Sequence, residues 1–123
     1  NRILEECDVI SLHIPLTKHN VKYIGTKELS ILKKDACILN TSRGGIIDEE
    51  ALYMWLSENN DASASIDVFE KEPYDGVLLS LSNVLATPHL GSCSKKSRLA
   101  MELDAAKSVD NYLRSENLSH RVV

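Results

Sequence analysis

Ser63-Ala64-Ser65-Ile66-Asp67-Val68-Phe69-Glu70-Lys71-Glu72-Pro73 joins a small, β-branched run to a turn that carries three carboxylates and a proline. The run reads as the end of a strand, and acids just beyond a strand of an α/β pattern fall where such folds put their sites. Alone, the turn also suits a solvated acidic loop, and Asp67, Glu70 and Glu72 stand as equal candidates. Its neighbours weigh against the bland reading: Ser42-Arg43-Gly44-Gly45 upstream and Thr87-Pro88-His89-Leu90-Gly91 downstream.

Upstream, Ile46-Ile47 leads to Asp48, a suitable N-cap, with Glu49 and Glu50 favourably placed in the first turn of a helix. Ala51, Leu52, Trp55 and Leu56 fall on one face at helical spacing, which makes Trp55 core rather than a cofactor stacker. Before Ser42 lies a strand candidate, Ala36-Cys37-Ile38-Leu39-Asn40. A helix over Lys27–Lys34, capped by Thr26, separates it from an earlier strand, Val9 to Ile14, whose composition suits burial on both faces. Pro15 ends that strand because it cannot donate to a ladder. Residues 1–7 read as the tail of a preceding helix.

Downstream, Leu78, Leu79 and Leu81 anchor a loop or short helix. A strand at Asn83–Ala86 follows, and then an amphipathic helix from about Ser94 to Leu113. Leu99, Leu103, Ala106, Val109 and Leu113 mark a stripe on it that is expected to cover a large apolar face. Parallel strands need crossovers of a dozen residues or more, and the spacings supply them. The pattern is α/β with a parallel sheet. His13 and Pro15, Thr41 to Gly45, Asp67 to Glu72, and Thr87 to Gly91 then all lie at the carboxyl ends of strands, which a set of solvated loops would not require.

The chain's 123 residues suit one compact domain. Its 43% hydrophobic and 26% charged content is that of a globular protein. A formal net charge of −4 gives no electrostatic footprint for nucleic acid or an anionic membrane, although a local cation can still hold a small anion. Cys7, Cys37 and Cys93 are odd in number and lack C-x-x-C spacing, so they predict buried, reduced thiols and neither a disulfide framework nor a metal site. No apolar run reaches the roughly 18 residues of a membrane helix, and no signal peptide opens the chain. A soluble, cytoplasmic protein is expected.

Arg43 sits between a strand end and two glycines, where its planar fork can grip a carboxylate bidentately and Gly44 and Gly45 let the backbone approach closely. The alternative is a surface arginine paired with a neighbouring acid. His89 can exchange a proton at neutral pH, and a glutamate beside it would hold one tautomer and orientation. Asp67 could accept hydrogen bonds from a cofactor, or simply cap a turn. Lys95, Lys96 and Arg98 stand at a helix N-terminus, where cations are unfavourable. They fit either a solvated basic face or a nearby substrate phosphate.

Four segments, C-D-V-I-S-L-H-I-P-L-T, N-T-S-R-G-G-I-I-D-E-E-A-L, S-I-D-V-F-E-K-E-P and N-V-L-A-T-P-H-L-G, closely resemble successive motifs of the D-isomer-specific 2-hydroxyacid dehydrogenases. The resemblance implies the second half of a doubly wound, Rossmann-type dinucleotide-binding domain. Residues 1–91 would be its βαβ units, 92–115 a long C-terminal helix and 116–123 a tail. It further implies NAD-dependent hydride transfer between a D-2-hydroxy acid and its 2-keto acid. Arg43, Glu72 and His89 would be catalytic: Arg43 gripping carboxylate and carbonyl oxygen, His89 exchanging the proton, and Glu72 holding His89. Asp67 would face the nicotinamide, with His13, Pro15, Thr41, Ser42, Arg43, His89 and Gly91 lining the cofactor cleft.

The chain lacks the family's G-x-G-x-x-G turn and the ribose-reading acid, so the choice between NAD and NADP stays open. It is expected to be a fragment of a longer, homodimeric enzyme, inactive alone. Its strand at Val9 to Ile14 would be left as an apolar edge prone to self-association. The alternative is an NAD(H)-responsive corepressor or scaffold of the same fold.

Overall fold

Four short strands pair in chain order: β1 (Val9–Leu12), β2 (Cys37–Asn40), β3 (Ser63–Ile66) and β4 (Val84–Ala86) form one sheet, every neighbouring pair parallel. Ile10 lies opposite Ile38, Ile38 opposite Ala64, and Ala64 opposite Val84. All four carboxyl ends therefore reach the same edge of the sheet. The structure, a computed structural model, describes residues 2–114. The chain divides into two units, one ending at His89 and the other starting at Leu90.

In the first unit α1 (Arg2–Glu6) precedes β1, α2 (Thr26–Ser30) lies between β1 and β2, and α3 (Glu49–Glu58) lies between β2 and β3. The acidic turn and a 3₁₀ turn at Val77–Ser80 lead from β3 to β4. Asp48 caps α3 as expected, its carboxylate accepting the N–H groups of Glu50 and Ala51. Leu52, Trp55 and Leu56 of α3 are buried with Leu29, Ile38, Ala64 and Leu78 in one core. Leu52→Ala would open a cavity there at a cost of about 2–5 kcal/mol.

Four local expectations are corrected. Gly25, not Thr26, caps α2, because the Glu28 carboxylate reaches back to the Gly25 N–H. The helix also stops at Ser30, and Lys33, expected in its last turn, instead pairs with Asp8 at 2.6 Å. The Ser30 hydroxyl takes the Lys27 carbonyl, a local bond that competes with helix continuation. β1 is not buried on both faces: Ile10 is buried, but Val9, whose side chain points to the opposite face, is 59% exposed. Finally, the cysteines are not buried: Cys7 and Cys37 are half-buried and Cys93 is exposed.

In the second unit, α4 (Lys95–Leu113) starts from Ser94, whose hydroxyl accepts the Ser97 N–H. None of its residues is buried, so the stripe from Leu99 to Leu113 covers no apolar face within this unit. Among the described residues the unit holds no second helix or strand against which the stripe could pack. Arg98 pairs with Glu102 at 3.3 Å, and Lys95 and Lys96 are exposed, as on a solvated face. The expected tail at 116–123 lies outside the described residues. Among those described, no helix is long and apolar enough to cross a membrane.

Candidate active site

Asp67 is the first residue beyond β3, and its N–H donates to the Asn40 carbonyl at the end of β2. That bond carries the sheet's spacing one residue past the strands. Asp67 is only 7% exposed, and its carboxylate accepts the Thr87 hydroxyl at Oδ1. The chain then turns sharply, because Glu72 Oε1 accepts the Phe69 N–H at 3.1 Å. This leaves Glu72 Oε2 facing His89 Nδ1 at 2.9 Å.

An ionised carboxylate can only accept, so Nδ1 carries the proton in that bond and the exchangeable position is Nε2. The bond to His89, followed by that from the Phe69 N–H, holds the Glu72 carboxyl below its ordinary carboxylate value. His89 has a φ of 55°, in the left-handed region that a residue with a Cβ enters at a cost. Its own N–H donates to the Thr87 carbonyl at 3.0 Å. Thus the backbone is bent to present this imidazole. Glu70, the rival acid, is exposed, and its N–H donates to Glu49 Oε1 at 2.7 Å.

The turn after β2 is closed by Asn40, which is 2% exposed. Its side-chain amide donates to the Arg43 carbonyl at 2.9 Å, while its oxygen accepts the Ser42 N–H and hydroxyl. Arg43 is exposed and donates from Nη1 to the Ser42 carbonyl at 2.6 Å. Among the described residues it pairs with no carboxylate, so the alternative of a surface ion pair is not what is seen. The expectation that Gly44 admits a ligand needs revision. A Cβ at Gly44 would overlap the Phe69 carbonyl, so the close approach there is to the protein's own backbone. Gly45 has a φ of 78°, which favours glycine.

His13 and Pro15 follow β1 and are exposed, with His13 Nε2 bonded to the Ser11 hydroxyl at 2.8 Å. Thr41 is exposed at the end of β2. Gly91 belongs to the second unit. The fold thus joins Glu72 to His89 and Asp67 to Thr87, and sets Arg43 on a turn that touches Phe69. A cavity of about 480 Å³, lined by Phe69, Glu72, Tyr74, Leu79, Pro88 and His89, opens beside the histidine. Sequence reasoning gave no role to Asn40 or Thr87. The available signal was an asparagine at the end of an apolar strand, immediately before Thr41-Ser42, a pattern that suits a side-chain-closed turn.

Parallel strands thus bring a paired imidazole and carboxylate, and an arginine on the neighbouring turn, to one edge of an α/β sheet. Residues 1–91 match the family described as D-isomer specific 2-hydroxyacid dehydrogenase, NAD binding domain. The chain is 44% identical over 115 residues to a glyoxylate reductase of Thermococcus litoralis, covering 93% of this chain and 35% of that protein. It is 41% identical over 124 residues to a D-3-phosphoglycerate dehydrogenase of Methanocaldococcus jannaschii, covering 100% of this chain and 24% of that one. The crystal structure of D-lactate dehydrogenase with NAD+ from Lactobacillus jensenii superposes with a TM-score of 0.89 at 28% identity, over 98% of this chain and 41% of that one. The chain belongs to the D-isomer-specific 2-hydroxyacid dehydrogenase family, and its fold is that of the Rossmann-type NAD-binding domain. It spans about a quarter to two-fifths of the length of these relatives.

The residues present suit one end of such a cofactor. A buried carboxylate at Asp67, fixed by Thr87, is an acceptor for an amide or a ribose hydroxyl, and it stands at the strand ends where dinucleotides bind. The glycine-rich turn that receives the pyrophosphate is not in this sequence.

Proposed function

We propose that this chain is the catalytic half of the NAD-binding domain of a longer, cytoplasmic, homodimeric enzyme that interconverts a D-2-hydroxy acid and its 2-keto acid. Arg43 binds the substrate carboxylate, and its planar fork reaches the adjacent carbonyl oxygen. His89 gives its Nε2 proton to that oxygen in reduction and takes it back in oxidation. Glu72 keeps Nδ1 protonated and the ring in place, and it stabilises the imidazolium form. Asp67, Thr41, Ser42, His13 and Pro15 hold the nicotinamide end of the cofactor. When bound, NADH supplies the hydride that the carbonyl carbon receives.

The observation that carries this reading is the 2.9 Å bond between Glu72 Oε2 and His89 Nδ1, beside a cavity and past the ends of parallel strands. A surface histidine has no need of a carboxylate partner, a left-handed backbone and a neighbouring arginine free of acids. Its test is steady-state reduction of small 2-keto acids by NADH in the complete protein. His89→Ala should lower turnover by about 10²-fold or more, the usual share of a positioned acid/base. Unchanged turnover in that variant would remove His89 from the mechanism.

A further inference from the structure

The Phe69 residue makes three contacts that lead to different parts of the site. Its N–H is held by Glu72 Oε1 at 3.1 Å, and the other oxygen of that carboxylate holds His89. Its carbonyl lies against Gly44 so closely that a Cβ there would overlap the carbonyl carbon and oxygen and crowd the Glu70 nitrogen. Its ring stacks on Tyr74, with centroids 4.0 Å apart and planes 13° apart. Tyr74 is itself fixed, since its hydroxyl accepts the Leu78 N–H at 3.3 Å. One side of this residue thus rests on the turn that carries Arg43, and another on the carboxylate that aims His89.

We propose that Gly44 is a positioning residue: the seating of the Phe69 carbonyl on its Cβ-less backbone, with the Tyr74 stack behind, sets the placement of the Glu72–His89 pair relative to the Arg43 turn. Neither Gly44 nor Tyr74 acts on substrate in this account; both act through the Phe69 peptide. The geometry makes the coupling stiff. Gly44 would meet backbone rather than the end of a flexible side chain, so adding a methyl group must push either the Arg43 turn or the Phe69–Glu72 turn. Three hydrogen bonds hold each turn, but those of the Arg43 turn come from Asn40, which is only 2% exposed, whereas the 70–73 segment, bonded to Glu49, Phe69 and His89, lies exposed to solvent. The acidic turn is the part that yields.

The role assigned to Gly44 rests on the proposed proton-transfer role of His89 only where activity is concerned; the positioning itself can be read without turnover. The measurement is ring-nitrogen NMR of His89 and carboxyl-carbon titration of Glu72 in the complete protein that carries this chain. Wild type should show His89 with its proton on Nδ1 and Glu72 titrating below the ordinary carboxylate value. Gly44→Ala should shift His89 toward the Nε2–H tautomer of a free imidazole and move the Glu72 midpoint upward. Gly25→Ala, whose Cβ would meet its nearest neighbour at an ordinary 3.5 Å, should change neither.

A folded Gly44→Ala chain with unchanged His89 and Glu72 signals would overturn the proposal. If that variant does not fold, Tyr74→Leu decides. Loss of the stack should move the same two signals in the same direction but by less, and their constancy would overturn the proposal. In the complete protein, altered NMR signals with unaltered turnover would leave the seating in place and refute the catalytic reading of His89.

Discussion

The site has two halves, and they are built differently. The half after β3 and β4 is closed on itself: Glu72 bonds both Phe69 and His89, and Thr87 bonds Asp67. The half after β1 and β2 is a rigid scaffold with exposed tips, in which Asn40 fixes the turn while Arg43 and His13 meet only nearby protein groups. The difference follows the chemistry proposed for each. A proton donor must hold one tautomer and direction before substrate arrives, whereas an anion grip gains from a guanidinium not already committed to an acid. Preorganisation therefore reaches the functional side chain itself in one half and stops at the turn that carries it in the other.

Removing the scaffold of the second half should have the largest effect. Asn40→Ala strands the Arg43 carbonyl and the Ser42 donors beside a buried position, at a cost of about 1–3 kcal/mol for each group left unsatisfied. Chemical denaturation should show that loss; a change within about 0.5 kcal/mol, the scatter of ordinary surface substitutions, would mean that the turn holds without its asparagine. Next comes the tip. Arg43→Lys keeps the charge but loses the fork, and should lower kcat/KM for a 2-keto acid by about tenfold, the equivalent of roughly 1.4 kcal/mol, chiefly through KM.

The smallest effect belongs to the closed half and is pH-dependent. The Glu72 carboxyl lies below its ordinary value of 4.5 because His89, and then the Phe69 N–H, favour its charged form. A carboxyl depressed by folding contributes stability that is complete above its unfolded pKa and is lost as pH falls through its folded pKa. Glu72→Gln should therefore flatten the fall of Tm with acid below pH 4.5, by a small amount because the group is solvent-exposed. An acid limb as steep as wild type would show that the bond to His89 makes no contribution to folding.

Much of this was legible in the residues, for physical reasons that can be named. The parallel order of the strands follows from apolar runs separated by crossover-length connections, and the α3 face from its 3.6-residue period. The choice of Glu72 over Glu70 is a different case. The residues alone left the acids equal, and only the family resemblance singled out Glu72, which the structure then sets against His89. The purpose of Gly44 was misread because its neighbour, the Phe69 carbonyl, is distant in sequence and comes near only when β2 and β3 pair. Asn40 was passed over as a strand residue, since its partners exist only after the chain has turned back. Local pattern thus identifies elements, while tight backbone contacts between turns depend on the assembled sheet. Neither the exposure of Val9 on the edge strand nor that of the α4 stripe could be read from periodicity, which marks an apolar face without saying what covers it.

In the proposed reaction hydride reaches the carbonyl carbon while His89 supplies the proton to its oxygen. The direct measurement uses NADH deuterated at the transferring position of the nicotinamide, with glyoxylate, hydroxypyruvate and pyruvate each offered to the complete protein carrying this chain. Deuterium is expected at C2 of the 2-hydroxy acid, of D configuration where that carbon becomes a stereocentre, with loss of the product in His89→Ala. Deuterium retained in the cofactor with every 2-keto acid, in a protein shown to bind NADH, would contradict that reaction.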